Sequence, residues 1–282
     1  TYSVRALVTD LATNTVTSTL STTSGRITVD TTAPTPGTLT MTSTDTGSAS
    51  NDGIVNNATP AFSLSTASDT AYTGTGHPTA AIATVTLETS LDSGANWVTN
   101  ATFTAPTSPA TAYTVTAASL ATNTTYKIRA RVTDTAGNSA TTDLSTTSAT
   151  IVVDTTTPTA GTLAIVETDG VTNDGVVKVT TPSFTVTSPA DSGYSAAAIW
   201  KVQLQVASGT SGGSFADSGT AATSVTNGAY ALTLGAQTPD GTYRVQAVTY
   251  DVAGNTSTTL PVTIAVDTTN PTAGTLTVND TF

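Results

Sequence analysis

The Asp and Asn residues of this sequence fall in short turn-type strings that recur along the chain. Asp45 opens Asp45-Thr46-Gly47, Asp52 stands in Asn51-Asp52-Gly53, and Asp154 heads Asp154-Thr155-Thr156. Asp251 and Asn255 bracket Asp251-Val252-Ala253-Gly254-Asn255. Related positions are Asp30, Asp134 and Asn138 earlier in the chain, and Asp169, Asp174 and Asp267 later. Carboxylates, amide oxygens and backbone carbonyls are hard ligands, and Ca²⁺ gathers about 6–8 such oxygens. Asp and Asn also favour turns for a local reason, since their side chains bond the backbone nearby and tolerate left-handed conformations. The residue types leave both readings open.

Other chemistry is largely excluded. There is no cysteine and a single histidine, His77. That removes disulfides and Cys-based metal sites, and zinc usually needs several His or Cys ligands. No Ser-His-Asp, paired-carboxylate or phosphate-loop arrangement can be assembled, so no enzyme is expected. Lys plus Arg total 8 against 19 Asp plus Glu, a net charge of -11. Such a chain repels phosphates, which argues against nucleic acid as a partner, and it attracts divalent cations. No run reaches the roughly 18 apolar residues of a membrane span, so no membrane insertion is expected.

Repetition organises everything else. Thr1 to Asn14 (TYSVRALVTDLATN), Thr125 to Asn138 (TYKIRARVTDTAGN) and Thr242 to Asn255 (TYRVQAVTYDVAGN) align. Each leads to a near-identical joint: VDTTAPTPGTL at Val29–Leu39, VDTTTPTAGTL at Val153–Leu163 and VDTTNPTAGTL at Val266–Leu276. Ser50 to Leu64 likewise matches Thr172 to Val186. The period is about 115–125 residues, enough for each repeat to bury its own core. The expected domains are residues 35–154 and 159–267, preceded by the C-terminal part of one at 1–30 and followed by the start of another at 272–282. The chain opens inside a strand pattern and reads as a segment of something longer.

Within a repeat the apolar period is two. Tyr126, Ile128, Ala130 and Val132 share one face, while Lys127, Arg129, Arg131 and Thr133 share the other. Further strands are expected near 60–65, 82–90, 112–117 and 148–153, separated by Gly, Asn, Asp and Pro clusters. About a quarter of the residues are Thr, which is β-branched and suits a pleated surface. Roughly seven short strands per repeat imply an all-β protein of tandem immunoglobulin-like β-sandwiches arranged end to end, each about 35–45 Å long. Asp240-Gly241-Thr242-Tyr243 resembles a tyrosine corner, and Tyr126 and Tyr2 hold the same place. Phe62, Leu64, Val85, Leu87, Tyr126, Ile128 and Val132 should form one core. Phe184, Val186, Val202, Leu204, Tyr243 and Val245 should form its counterpart.

The order of these motifs resembles the bacterial Ig-like repeats of giant surface adhesins, of the biofilm-associated and type I-secreted kind. The residues that carry it are Asp45-Thr46-Gly47 with Asn51-Asp52-Gly53, Thr59-Pro60, Asp134 to Asn138 and Asp154 to Pro158. They return at Asp169-Gly170, Asn173-Asp174-Gly175, Thr181-Pro182, Asp251 to Asn255 and Asp267 to Pro271. Leu11-Ala12-Thr13-Asn14 departs from the pattern, as does the loop between Asp169 and Asp174, which is two residues shorter than its counterpart. The resemblance implies extender domains of an extracellular, cell-surface stalk, with Ca²⁺ between domains and neighbouring repeats of the same chain as partners.

In a sandwich of this kind, Asp45, Asp52 and Asp154 should converge at the lower end of one domain. Asp251 and Asn255 should sit at the upper end of the next. Two other functional readings stay open. A self-assembling filament, sheath or S-layer would bring identical chains together in a fibre. A glycan- or protein-binding module would show an exposed aromatic cluster near Trp97 or Trp200. For Trp97, Trp200 and Phe215 a packing role is the simpler reading, and His77 reads as an exposed loop residue. Arg and Lys at 127, 129 and 131 form a basic row that should pair with acids across strands.

Overall fold

The computed structural model describes residues 2–21, 26–27, 29–50, 52–65, 67–69, 82–104, 112–146, 149–167, 174–193 and 199–279. Among them every regular element is a β-strand, and there is no helix. The first strands are β1 (Tyr2–Ser3), β2 (Arg5–Thr9), β3 (Thr15–Thr19) and β4 (Arg26–Ile27). The first repeat contains β5 (Leu39–Met41), β6 (Ile54–Val55), β7 (Ala61–Ser65), β8 (Ile82–Ser90) and β9 (Val98–Thr102). It continues with β10 (Ala112–Thr116), β11 (Thr124–Asp134), β12 (Ser139–Asp143) and β13 (Thr150–Val153). The second repeat contains β14 (Thr162–Val166), β15 (Val176–Val177), β16 (Ser183–Thr187), β17 (Ile199–Ser208) and β18 (Ala216–Ala222). It ends with β19 (Ala229–Thr233), β20 (Gly241–Asp251), β21 (Thr256–Thr258) and β22 (Val262–Val266).

The chain divides into two compact units. One is Thr1–Thr44, Thr59–Leu120 and Thr125–Ile151; the other is Asp45–Ala58, Ala121–Thr124 and Val152–Phe282. In the first, β2 and β3 form an antiparallel hairpin exposed throughout. A three-stranded sheet runs β10-β7-β5, and a second sheet carries β9, β8 and β11, with β12 also bonded to β11. Strand β11 buries Tyr126, Ile128, Ala130 and Val132 and turns its basic row outward. That is the expected alternation, because successive side chains on a strand face opposite ways. Phe62, Leu64, Val85, Leu87, Tyr126, Ile128 and Val132 are all buried, joined by Leu39, Phe103, Val115 and Ile151.

In the second unit, β6 pairs in parallel with Val152 and Val153 of β13. The second repeat forms one sheet in the order β14-β16-β19 and another in the order β15-β22-β20-β17-β18, with β21 also on β20. Phe184, Val186, Val202, Leu204, Tyr243 and Val245 belong to one buried cluster, extended by Tyr230, Leu232, Leu234 and Ile264. The tyrosine corner is present: the Tyr243 hydroxyl donates to the Pro239 carbonyl at 2.6 Å.

Each repeat has nine described strands rather than about seven, because the first and last strands are both broken. The first strand leaves one sheet and continues as β6 or β15 beside the final strand of the other. In the second repeat the last strand breaks at Leu260-Pro261, where proline has no N–H to give the ladder.

Candidate metal centre

The site begins with a five-residue turn. Asp251 ends β20, and its Oδ1 accepts the Asn255 backbone N–H at 2.8 Å. Its Oδ2 accepts from Asn255 Nδ2 at 2.9 Å. The backbone closes the same turn, with the Asp251 N–H donating to the Asn255 oxygen at 3.1 Å. Asn255 Nδ2 also donates to the main-chain oxygen of Asp154 at 2.9 Å. One amide group therefore ties the turn to the joint between repeats.

The joint holds Asp154 in place from its other side. The Asp154 N–H donates to the Val55 carbonyl at 2.9 Å, and its Oδ1 accepts the Thr156 N–H at 3.0 Å. Two residues on, the chain reaches Pro158, and Thr159 forms an antiparallel bridge with Ala190. That bridge brings in the loop after β16, where Asp191 Oδ1 accepts the Gly193 N–H at 2.9 Å. Asp154, Asp191 and Asp251 each present one carboxylate oxygen to a common point, all within 4.8 Å of one another.

The electrostatics of this group are unfavourable without a cation. Asp154 and Asp251 are fully buried. Asp154 Oδ2 and Asp191 Oδ2 are buried and have no hydrogen-bond partner among the described residues. Burial pushes the Asp154 carboxyl above its ordinary value; the Thr156 bond partly opposes this, and the charges of Asp191 and Asp251 add to the rise. Burial likewise raises Asp251 against the pull of Asn255, and Asp191 again adds to it. Three acids without a basic partner among the described residues, two of them with orphaned buried oxygens, are the donor set a hard divalent cation would satisfy.

A second group repeats this arrangement in the first unit. Asp30, Asp69 and Asp134 also bring carboxylate oxygens within 4.8 Å. Asn138 Nδ2 donates to Asp134 Oδ2 at 2.9 Å and to the Asp30 carbonyl at 3.1 Å. Thr35 bridges Ser68 just as Thr159 bridges Ala190. Burial works against the Asp134 charge, but hydrogen bonds from Asn138, Gly137 and Ala136 outweigh it and hold this carboxyl below its ordinary value.

Of the residues singled out in the sequence, the structure thus gathers Asp154, Asp251 and Asn255 in one place and Asp30, Asp134 and Asn138 in another. Both asparagines turn amide nitrogen, not oxygen, toward the acids, so they orient carboxylates rather than add a donor oxygen. Asp45 and Asp52 stand outside both groups. Asp45 Oδ2 accepts the Gly53 N–H at 3.2 Å and Asp52 Oδ1 accepts the Ile54 N–H at 3.0 Å, which shapes the turn into β6. In the second repeat Glu167 takes the part of Asp45, accepting the Gly175 N–H at 2.8 Å, and Asp174 accepts the Val176 N–H at 2.9 Å. Asp267 is exposed and caps its own turn through the Thr269 N–H at 3.0 Å. Asp169 and His77 lie outside the described residues.

Asp69 and Asp191 were not singled out in the sequence. Their signal is the pair of strings Ser68-Asp69-Thr70-Ala71-Tyr72 and Ala190-Asp191-Ser192-Gly193-Tyr194, in the same phase after β7 and β16. The aromatic candidates are engaged in packing. Arg129 lies 4.0 Å over the Trp97 ring while its Nε meets Glu88 at 2.6 Å, and Arg244 lies 4.9 Å over Phe215. Trp200 meets Tyr250 edge-on at 6.2 Å, with Lys201 over both rings.

Residues 154–268 match the family model of a bacterial Ig-like domain. The matched segment starts at Asp154 and so contains the whole Asp154–Asp191–Asp251 group. No curated protein matches the chain. Among solved structures, the FN1–FN3 domains of chicken CNTN1 align over 93% of this chain and 76% of that one, at 9% identity and a TM-score of 0.44. The fibronectin(III)-like modules of Clostridium thermocellum CbhA align over 81% of this chain and 92% of that one, at 13% identity and a TM-score of 0.39.

Proposed function

We propose that these repeats, residues 35–154 and 159–267, are non-catalytic Ig-like extender domains of an extracellular bacterial surface adhesin or fibre, and that Ca²⁺ holds the joint between them. The observation that supports this most is the Asp154–Asp191–Asp251 group, with two buried carboxylate oxygens that no group among the described residues satisfies. Asp154 is the last residue of the 35–154 repeat and lies inside the joint, so a cation bound there would fix the start of the next domain. Backbone carbonyls and water would complete the shell, and affinity should fall in the weak extracellular range, on the order of 10⁻⁴–10⁻³ M. Without the cation the three charges repel one another, and the linker residues regain freedom. The sandwiches keep their own apolar cores and should survive chelation.

The test is calorimetric titration of the chain with CaCl₂, paired with small-angle scattering in calcium and in EDTA. Binding that is weakened by Asp191→Asn, together with a longer maximum dimension in calcium, supports the stalk reading. No heat of binding and an unchanged dimension would leave the acids as ordinary turn residues.

A further inference from the structure

The Asp-x-Ala-x-Asn turn occurs three times with the same internal bonds and three different surroundings. At Asp10–Asn14, Asn14 N and Nδ2 donate to the two Asp10 oxygens at 2.8 and 2.9 Å. The corresponding bonds at Asp134–Asn138 are 2.9 and 2.9 Å, and at Asp251–Asn255 they are 2.8 and 2.9 Å. The fourth residue is left-handed in each: Thr13 at φ 69, Gly137 at φ 96 and Gly254 at φ 89. Ala12 and Ala136 are exposed, whereas Ala253 is fully buried.

What buries Ala253 is the loop Thr46-Gly47-Ser48. The Ser48 N–H donates to the Val252 carbonyl at 3.1 Å, and the Thr46 hydroxyl, which donates to Asn56 Oδ1 at 2.8 Å, lies 3.2 Å from the Ala253 carbonyl. The approach is backbone to backbone. A Cβ at Gly254 would lie 2.7 Å from the Thr46 oxygen, and one at Gly47 would lie 2.0 Å from the Val252 oxygen. At Gly137 the same added atom meets nothing within 4 Å.

We propose that Thr46–Ser48 is a clasp, and that the fourth turn residue decides whether a repeat can accept such a loop from its neighbour. Glycine at this position leaves room for the incoming carbonyl. Threonine, which the turn itself tolerates at position 13, puts its side chain where that carbonyl must sit. Turns of the Gly254 and Gly137 type are acceptors for a Thr-Gly-Ser loop of another repeat; a turn of the Thr13 type is not. None of the clasp atoms belongs to the carboxylate group, so the contact is a separate fastening of the joint that needs no cation.

The decisive measurement is hydrogen exchange at the Ser48 amide in the whole chain, with EDTA present. Gly254→Thr copies a side chain that the Asp10–Asn14 turn already carries, so the turn should still form. Gly47→Ala attacks the same contact from the loop side. Each should speed Ser48 exchange at least tenfold, whereas Gly137→Thr, made where space is open, should leave it unchanged. Unchanged exchange in both Gly254→Thr and Gly47→Ala, or equal acceleration by Gly137→Thr, would overturn the proposal.

Discussion

Asn255 donates its side-chain amide to the main-chain oxygen of Asp154, 101 residues earlier in the sequence, at 2.9 Å. The same amide holds Asp251 Oδ2 at 2.9 Å, so one residue sets both the turn and the joint. Asn255→Ala removes both bonds and leaves two partly buried acceptors without their donor. Such a deletion costs about 1–3 kcal/mol. Urea unfolding followed by Trp200 fluorescence should show that loss. Asn14→Ala, in the exposed copy of the turn, should cost under about 0.5 kcal/mol. Equal costs at the two positions would mean the link to Asp154 contributes nothing.

Asp191 separates a metal ligand from a turn residue. Asp191→Asn keeps an oxygen for the Gly193 N–H but removes one charge from the group. Calcium affinity should fall at least about tenfold, since ligand charge sets affinity at such sites. The metal-free protein should become more stable, because a repulsion is relieved. Asp45→Asn should leave affinity unchanged, as Asp45 lies outside the group. Calorimetry on both variants checks this, and parity between them would remove Asp191 from the site.

The two apolar cores should behave as separate cores with equivalent anchors. Phe62 and Phe184 are both essentially inaccessible to solvent. Phe184→Ala should cost about 3–5 kcal/mol in the second repeat through lost transfer energy and an unfilled cavity. Thermal unfolding of the variant should lower the Trp200-reported transition, and a loss under about 1 kcal/mol would contradict this placement.

The cores were legible because a strand's period of two maps apolar residues directly onto one face, and a repeated string confirms each assignment. The tyrosine corner was legible for the same reason. The acids were only half legible. Asp154, Asp251 and Asn255 sit in strings whose turn geometry is local, so their positions follow from the strand order. Asp191 reaches the group through the Thr159–Ala190 bridge, a pairing set by how the joint folds back; its string repeats the phase of Ser68-Asp69 but does not by itself reveal that contact. Asp45 and Asp52 lie outside the group although their strings are as turn-like as the others; one oxygen of each accepts the Gly53 or Ile54 amide of its own loop, and Asp45 Oδ1 is buried without a partner among the described residues. The split of the outer strands was hidden for a related reason, since β6 and β15 are two residues long and carry no periodic signal.

Acidity supplies the last expected outcome. In the metal-free protein, burial and then neighbouring charge hold Asp154 and Asp251 above the 3.8 at which an unperturbed Asp titrates. Between that value and the raised folded values, the native state binds more protons than the unfolded chain. Stability must then fall as pH rises through that window and recover as pH falls back through it. Asp134 has the opposite sign: its folded value is lowered, so its contribution is present above 3.8 and is lost only at more acid pH. The second repeat in EDTA should therefore unfold at a higher urea concentration as the pH is brought down from neutral toward 3.8, and the gain should shrink in Asp154→Asn. Calcium should reverse the trend, because protons compete with the cation for the same oxygens and bound metal is lost as the pH drops. A urea midpoint that is flat or falling across that range in EDTA would mean that these carboxylates are not strained by their burial, and the electrostatic case for a cation at Asp154 would go with it.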